Sequence, residues 1–154
     1  MAVKPIPDDY PQVAPYLIVD GAAEAIDFYG KVFDGKERMR IPGPDGKIGH
    51  AEVEVGKGLV MLADEHPDMG HVGPKTIGGT PVSIGVYVDD CDATFDKAIK
   101  AGATALREPE DQFYGDRAGT FEDPFGHRWS VSTHIEDVSP DEMAKRAAKM
   151  MDGG

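Results

Sequence analysis

Tyr114-Gly115-Asp116-Arg117-Ala118-Gly119-Thr120-Phe121-Glu122-Asp123-Pro124-Phe125-Gly126-His127-Arg128-Trp129-Ser130 reads as a β-hairpin. Residues 117–122 form one arm, in which small or polar side chains alternate with apolar ones. Asp123-Pro124-Phe125-Gly126 supplies a four-residue turn, with Pro suited to its second position and Gly to its close. The returning arm runs through Arg128-Trp129-Ser130-Val131-Ser132-Thr133, where Trp, Val and Thr favour a half-buried strand. Alternation sends Trp129 toward a core and Ser130 and Ser132 to the opposite face.

Upstream of this hairpin the same succession of elements occurs twice. Residues 1–12 contain Pro5, Pro7 and Pro11 and read as an extended lead-in. A strand is predicted over Val13 to Val19, then a helix from Ala22 to Phe33 that Asp20 could cap and Gly35 ends. Its apolar stripe is Ala22, Ala25, Ile26, Tyr29 and Phe33. Strands follow over Lys36 to Ile41, Ile48 to Val55 and Leu59 to Ala63, with Pro42-Gly43-Pro44-Asp45-Gly46 as a turn. Residues 64–81 lack periodicity and read as a linker. The order then begins again: a strand over Ser83 to Val88, a helix over Cys91 to Ala101 with Phe95, Ala98 and Ile99 on one face, a strand over Ala103 to Arg107, and the hairpin. Tyr16-Leu17-Ile18-Val19-Asp20-Gly21 aligns with Gly85-Val86-Tyr87-Val88-Asp89-Asp90 at a spacing of 69. Neither unit alone could bury its apolar sheet face. Ser139-Pro140-Asp141-Glu142 opens a last helix with a capping box and Pro in its first turn.

The Tyr-Gly-Asp-Arg entry, the Asp-Pro-Phe-Gly turn and the internal duplication resemble the vicinal oxygen chelate superfamily (glyoxalase, bleomycin resistance protein, extradiol dioxygenase) in its PhnB-like branch. The resemblance covers nearly all of residues 13–134. It implies an α+β fold of two tandem βαβββ modules, about 13–63 and 83–134, forming a curved, cleft-bearing mixed sheet. The linker 64–81 and a C-terminal helix over 139–151 complete a single domain. Relatives are commonly homodimers, so a homodimer is expected here.

Composition narrows the partners. Apolar residues make up 40% and charged residues 29% of 154, as in a globular domain, and the formal net charge is −12. That charge argues against nucleic acid and anionic membrane as partners and favours a cationic ligand. The single Cys91 excludes an intrachain disulfide and a Cys-based zinc site, and reads as a buried or half-buried thiol. No basic region followed by a long apolar run stands within residues 1–20, so a cytoplasmic setting is expected.

In metal-using members of the superfamily, His, Gln or Glu on the first and fourth strands of each module ring a divalent ion. The resemblance places those positions at Ala14, Met61, Ser83 and Ser130, none of which is an ordinary ligand. No metal and no other cofactor is expected, and no catalytic residue is assigned. Of the five histidines, His66 and His71 fall in the acidic linker, His127 is expected to face water, and His134 ends the last strand. His50, on a strand bordering the cleft, is either a surface residue or a pocket acid, base or donor. Tyr16, Met61, Ser83, Tyr87 and Ser130 share the inward face by alternation and form either a ligand site or ordinary core. Tyr114, Asp116 and Arg117 carry the family signature: Arg117 could meet a ligand anion or lock the hairpin through Asp116, Glu122 or Asp123. The reading is a metal-independent small-molecule binding protein with its ligand in the inter-module cleft. The alternative is a glyoxalase-like metal-dependent lyase, isomerase or dioxygenase, and a purely structural or regulatory partner is the third possibility.

Overall fold

The computed structural model describes residues 2–153. Module 1 comprises β1 (Tyr16–Val19), α1 (Ala22–Phe33), β2 (Lys36–Pro42), β3 (Ile48–Val55) and β4 (Gly58–Asp64). A short helix α2 (Pro74–Ile77) lies in the connection. Module 2 comprises β5 (Ser83–Tyr87), α3 (Cys91–Lys100), β6 (Thr104–Asp111), β7 (Asp116–Glu122) and β8 (Arg128–His134), and α4 (Pro140–Gly153) follows. Each module forms a four-stranded mixed sheet, ordered β1-β4-β3-β2 and β5-β8-β7-β6, with the first strand parallel to the fourth.

The duplication holds at the level of register. Tyr16 pairs with Met61 and Leu17 with Leu62; shifting each by 69 gives Gly85 with Ser130 and Val86 with Val131, which pair in module 2. The predicted strand from Val13 is shorter than expected, because pairing with β4 begins at Tyr16. The predicted linker is also more ordered: it holds a 3-10 turn at Pro67–Met69 as well as α2. Gly73 and Pro74 in that segment lie close to Ile18 of module 1 and Gly126 of module 2 respectively.

The sheets share no strand pairing. They are joined through their helix-covered faces into one core. Phe28, Tyr29 and Phe33 of α1 meet Phe121, Phe125 and Trp129 of module 2, with Phe33 and Trp129 ring centroids 4.7 Å apart. This explains why α1 buries Phe28 and Val32 beyond the predicted stripe: it is covered by its own sheet and by the other module. A helix packed on two sides needs a wider apolar face than a surface helix.

At the centre of this junction lies Asp123, 2% exposed. Its Oδ2 accepts from Tyr29 Oη (2.7 Å) and Trp129 Nε1 (2.9 Å), and its Oδ1 from the backbone N–H groups of Phe125 and His127. Four donors on one carboxylate offset the loss of its hydration. His127 turns inward rather than to water, donating from Nε2 to the Ile18 carbonyl at 2.9 Å across the modules.

Helix starts differ from the sequence expectation in module 1. Asp20 does not cap α1. Instead Asp64, at the end of β4, accepts from the N–H groups of Gly21 and Ala22 and, through its other oxygen, from Ile48. A long-range carboxylate thus serves the positive helix end that a local side chain was expected to fill. In module 2 the local cap is made, by Asp90 to Ala93 N–H. Gly35 follows rather than forms the left-handed C-cap, which is Asp34 at φ 54°. On α3 the face that packs is Cys91, Thr94, Phe95 and Ala98; Ile99 stays partly exposed. Cys91 is the buried thiol expected, donating to the Val131 carbonyl. α4 is tethered by polar contacts, with Arg146 bonding to Glu136, Glu142 and the Phe113 carbonyl, while Met150 and Met151 remain exposed.

Gly115 of the signature is required by space. Its φ is 102°, and a Cβ there would collide with the Glu136 carbonyl oxygen.

Removing the Tyr29 hydroxyl (Tyr29→Phe) leaves Asp123 with three donors and is expected to destabilise by about 1.5–3 kcal/mol, as for a buried hydrogen bond to a charge. Asp123→Ala orphans four donors and is expected to be worse, which urea denaturation of both variants would measure.

Candidate functional site

Each sheet keeps one face free of helices, and the predicted site residues other than Arg117 are divided between these two faces. Because the covered faces share a core, the free faces lie on its outside and do not face each other within one chain.

On the module 1 face, direct cross-strand partners put Tyr16 beside Met61, Met61 beside Glu52, Glu52 beside Met39, and His50 beside Ile41. Tyr16 Oη donates to His50 Nδ1 at 2.8 Å, and His50 Nε2 lies 2.9 Å from Glu52 Oε2. Glu52 is 3% exposed; its Oε1 accepts from Tyr10 Oη at 2.8 Å, and Arg38 Nε stands 4.0 Å away. Arg38 lies over the Tyr10 ring and also binds Asp9, which fixes the lead-in segment against the sheet. Burial alone would raise the Glu52 carboxyl, but hydrogen bonds from His50 and Tyr10 outweigh it and hold the group below its ordinary value. Tyr16 is pushed up, chiefly by burial and also by Glu52.

The module 2 face is different in kind. Its register places Thr120 where Glu52 stands and Ala118 where His50 stands, since Thr120 pairs with Ser130 as Glu52 does with Met61. With small residues there, the face sinks into a depression of about 370 Å³ lined by Arg107, Glu108, Glu110, Gln112, Tyr114, Ala118, Thr120 and Ser130. Of the sequence candidates, Tyr114 and Ser130 are brought together in it. Ser83 sits at the exposed start of β5, opposite Arg128. Tyr87 lies 69% exposed at the other end, donating to Asp116 Oδ2 at 2.6 Å. A larger crevice, about 960 Å³, runs between the modules past the C-terminal end of α1, the β3–β4 turn and the start of α3. Tyr87 is the one predicted ligand residue that lines it.

Arg117 is not part of either face. Its guanidinium is held by Asp92 of α3 at 2.7 Å and by Asp111 at 3.1 Å, which ties the hairpin to the helix. The lock anticipated from the sequence is present, with partners other than Asp116, Glu122 or Asp123.

The donor atoms at and beside the expected metal positions do not form a ligand set. Ala14 precedes β1, and the β1 residue opposite Met61 is Tyr16; the corresponding pair in module 2 is Gly85 and Ser130. A phenol, a thioether, a hydrogen and a hydroxyl do not fit a first-row divalent ion, which takes imidazole and carboxylate ligands. Among the described residues no three His, Cys, Asp or Glu side chains gather in a way that could hold a metal. His66 and His71 pair through their backbones in a small turn, and the His66 Nδ1 is buried without a protein partner.

Sequence reasoning missed Tyr10, Arg38 and Glu52, and read Asp116 as a partner of Arg117 rather than of Tyr87 and His134. Glu52 was accessible, because two residues along a strand from His50 is the same face. Tyr10 and Arg38 meet only through tertiary structure.

Two βαβββ modules of repeated register, with candidate site residues on helix-free sheet faces, define a glyoxalase-type architecture. Residues 10–131 match the Glyoxalase/Bleomycin resistance protein/Dioxygenase superfamily, and the chain belongs to it. It is 46% identical over 146 residues to the uncharacterized protein Rv0887c of Mycobacterium tuberculosis, covering 93% of this chain and 86% of that one. Among solved structures it resembles protein PA1353 from Pseudomonas aeruginosa (28% identity, TM-score 0.65, 82% of this chain and 99% of that one). The fold also matches a PhnB protein from Bacillus cereus (18% identity, TM-score 0.64, 80% and 99%). Among the described residues no helix is long and apolar enough to cross a membrane.

The charged groups at the edge of module 2 predict a pH response. His134 donates to Asp116 and Asp137, at 2.8 and 2.7 Å, and these bonds, Asp137 first, raise its pKa. A raised folded pKa gives stability that is complete below the unfolded value, about 6.5, and is lost as pH rises through the folded value. Asp116 behaves oppositely: burial would raise it, but bonds from Tyr87 and His134 lower it, so its contribution fades as acid takes the pH through the lowered value. The urea midpoint should therefore fall as pH rises across the neutral range. His134→Asn should flatten that part of the profile and leave the acid limb in place.

Proposed function

We propose that this chain is a metal-independent small-molecule binding protein of the superfamily, taking flat, cationic or uncharged ligands on its helix-free sheet faces. The observation that carries this reading is the contrast at matched positions. Where the resemblance places the ligands of metal-using members, this chain has Ala14, Met61, Ser83 and Ser130, and beside Ser130 the sheet forms a depression with Tyr114 on its wall. An aromatic ring, hydroxyls and the carboxylates of Glu108 and Glu110, two against the one guanidinium of Arg107, suit a cationic heterocycle, which the net charge of −12 also attracts.

In this reading a second copy of the chain completes the cleft, bringing the module 1 face of one protomer over the module 2 face of its partner. What supports it is the outward orientation of both faces together with exposed Val13, Val82 and Tyr87 beside β1 and β5. A two-fold axis that pairs unlike modules of two protomers generates two equivalent whole sites from these half-sites.

The test is titration with a fluorescent acridinium dye, alongside sedimentation and elemental analysis. Expected are a dimer, no stoichiometric divalent ion, and dye binding that Ala118→Trp weakens at least tenfold, about 1.4 kcal/mol, by filling the depression. The variant's melting temperature should stay near that of the parent. One tightly held divalent ion per chain, raising stability by mass action, would replace this reading with a metal-dependent lyase or dioxygenase.

A further inference from the structure

We propose that the Tyr16–His50–Glu52 chain is a proton-accepting site that captures weakly acidic phenol-like or enol-like hydroxyls as their anions. It rests on the reading that the helix-free faces take small molecules, and it adds a chemistry to the module 1 face that ligand binding alone does not need.

The hydrogen positions follow from the partners. A carboxylate only accepts, so His50 Nε2 carries its hydrogen and donates to Glu52 (2.9 Å). Nδ1 is then the lone-pair nitrogen and accepts from Tyr16 Oη (2.8 Å). The resulting order, hydroxyl to imidazole to buried carboxylate, is the arrangement by which a neutral hydroxyl hands on its proton without leaving an isolated charge. Glu52 is equipped to remain ionised: Tyr10 donates to its second oxygen and Arg38 stands nearby. Only the outer end of the chain is open. Tyr16 is 49% exposed, and Met61 and Ile41 flank it and His50 on the same face, an apolar rim around one polar outlet.

The step balances without a co-reactant. As the ligand O–H proton moves to Tyr16 Oη, the Tyr16 proton passes to His50 Nδ1. The O–H bond of the ligand breaks and an N–H bond forms on His50, leaving a ligand anion and an imidazolium. Tyr16 then donates to the new anion while accepting from His50, and the imidazolium is paired with Glu52. Tyr16 and His50 move the proton; Glu52 is a positioning residue that fixes the imidazole tautomer. Module 2 lacks the device, since Ala118 and Thr120 occupy the matching places.

The test uses 4-nitrophenol, whose phenol and phenolate forms absorb at separate wavelengths, at a pH where the free probe is mainly neutral. The bound probe is expected to show the phenolate band, and the ¹⁵N spectrum of His50 to change from one protonated nitrogen to two. Tyr16→Phe at an exposed position and His50→Gln at a half-buried one should retain folded melting curves and lose the band at least tenfold. Glu52→Gln should remove the single-tautomer ¹⁵N signature before any probe is added. Binding of 4-nitrophenol with an unchanged phenol spectrum, or a phenolate band that survives His50→Gln, would overturn the proposal while the binding function stands. Failure of both 4-nitrophenol and the acridinium dye to bind would overturn both.

Discussion

The carboxylate of Asp123 is the constraint on which the rest of this fold depends. It sits in a turn of module 2, yet one of its four donors is Tyr29 on the helix of module 1. A buried charge with one donor would be a liability; with four it becomes a reason for a single arrangement, since any shift of α1 leaves an unpaired group in an apolar core. The packing repeats the instruction. Phe28, Tyr29 and Phe33 interleave with Phe121, Phe125 and Trp129, and His127, two residues past Phe125, bonds the carbonyl of Ile18. Asp-Pro-Phe-Gly is therefore a turn, an anion site for the helix and an aromatic plug at once.

That junction has a topological consequence. Because the helix-covered faces meet each other, both helix-free faces are turned outward, and the cleft expected between modules cannot be closed by one chain. A crevice does separate the modules, but it borders β5 and the helix ends and gathers Tyr87 alone from the predicted ligand residues. The choice of which faces to join thus decides where a ligand can go, and the aromatic residues of α1 make that choice.

Much of this was legible in order along the chain. The bounds of α1 followed from its apolar spacing, and the repeat at 69 residues anticipated the register of both parallel pairs. Alternation placed Trp129 in the core and Ser130 on the free face. What was not legible depended on distant partners. Asp64 caps α1 from the end of β4, which no local capping rule can find, and Tyr10 reaches Glu52 from 42 positions away. His127 looked like a turn residue facing water because its acceptor, a backbone carbonyl, leaves no mark in the sequence. Arg117 was read with local acids, whereas its nearest partner is Asp92 on another element. Local pattern specifies elements and faces; the network of polar contacts that fixes a site is assembled by the fold.

The duplicated modules then show how one architecture carries two kinds of surface. Register equivalence puts His50 against Ala118 and Glu52 against Thr120, so the same two places on a sheet hold a charged network in one module and open space in the other. A symmetric pair of ligand sets would suit an ion held at the centre. An asymmetric pair fits the proposed organic ligand, which would have unlike ends, one against a shallow wall and the other at a hydroxyl backed by imidazole and carboxylate. The fold does not dictate that chemistry. In the proposed reading it follows from four side chains, two large and two small, at positions the backbone treats as equivalent.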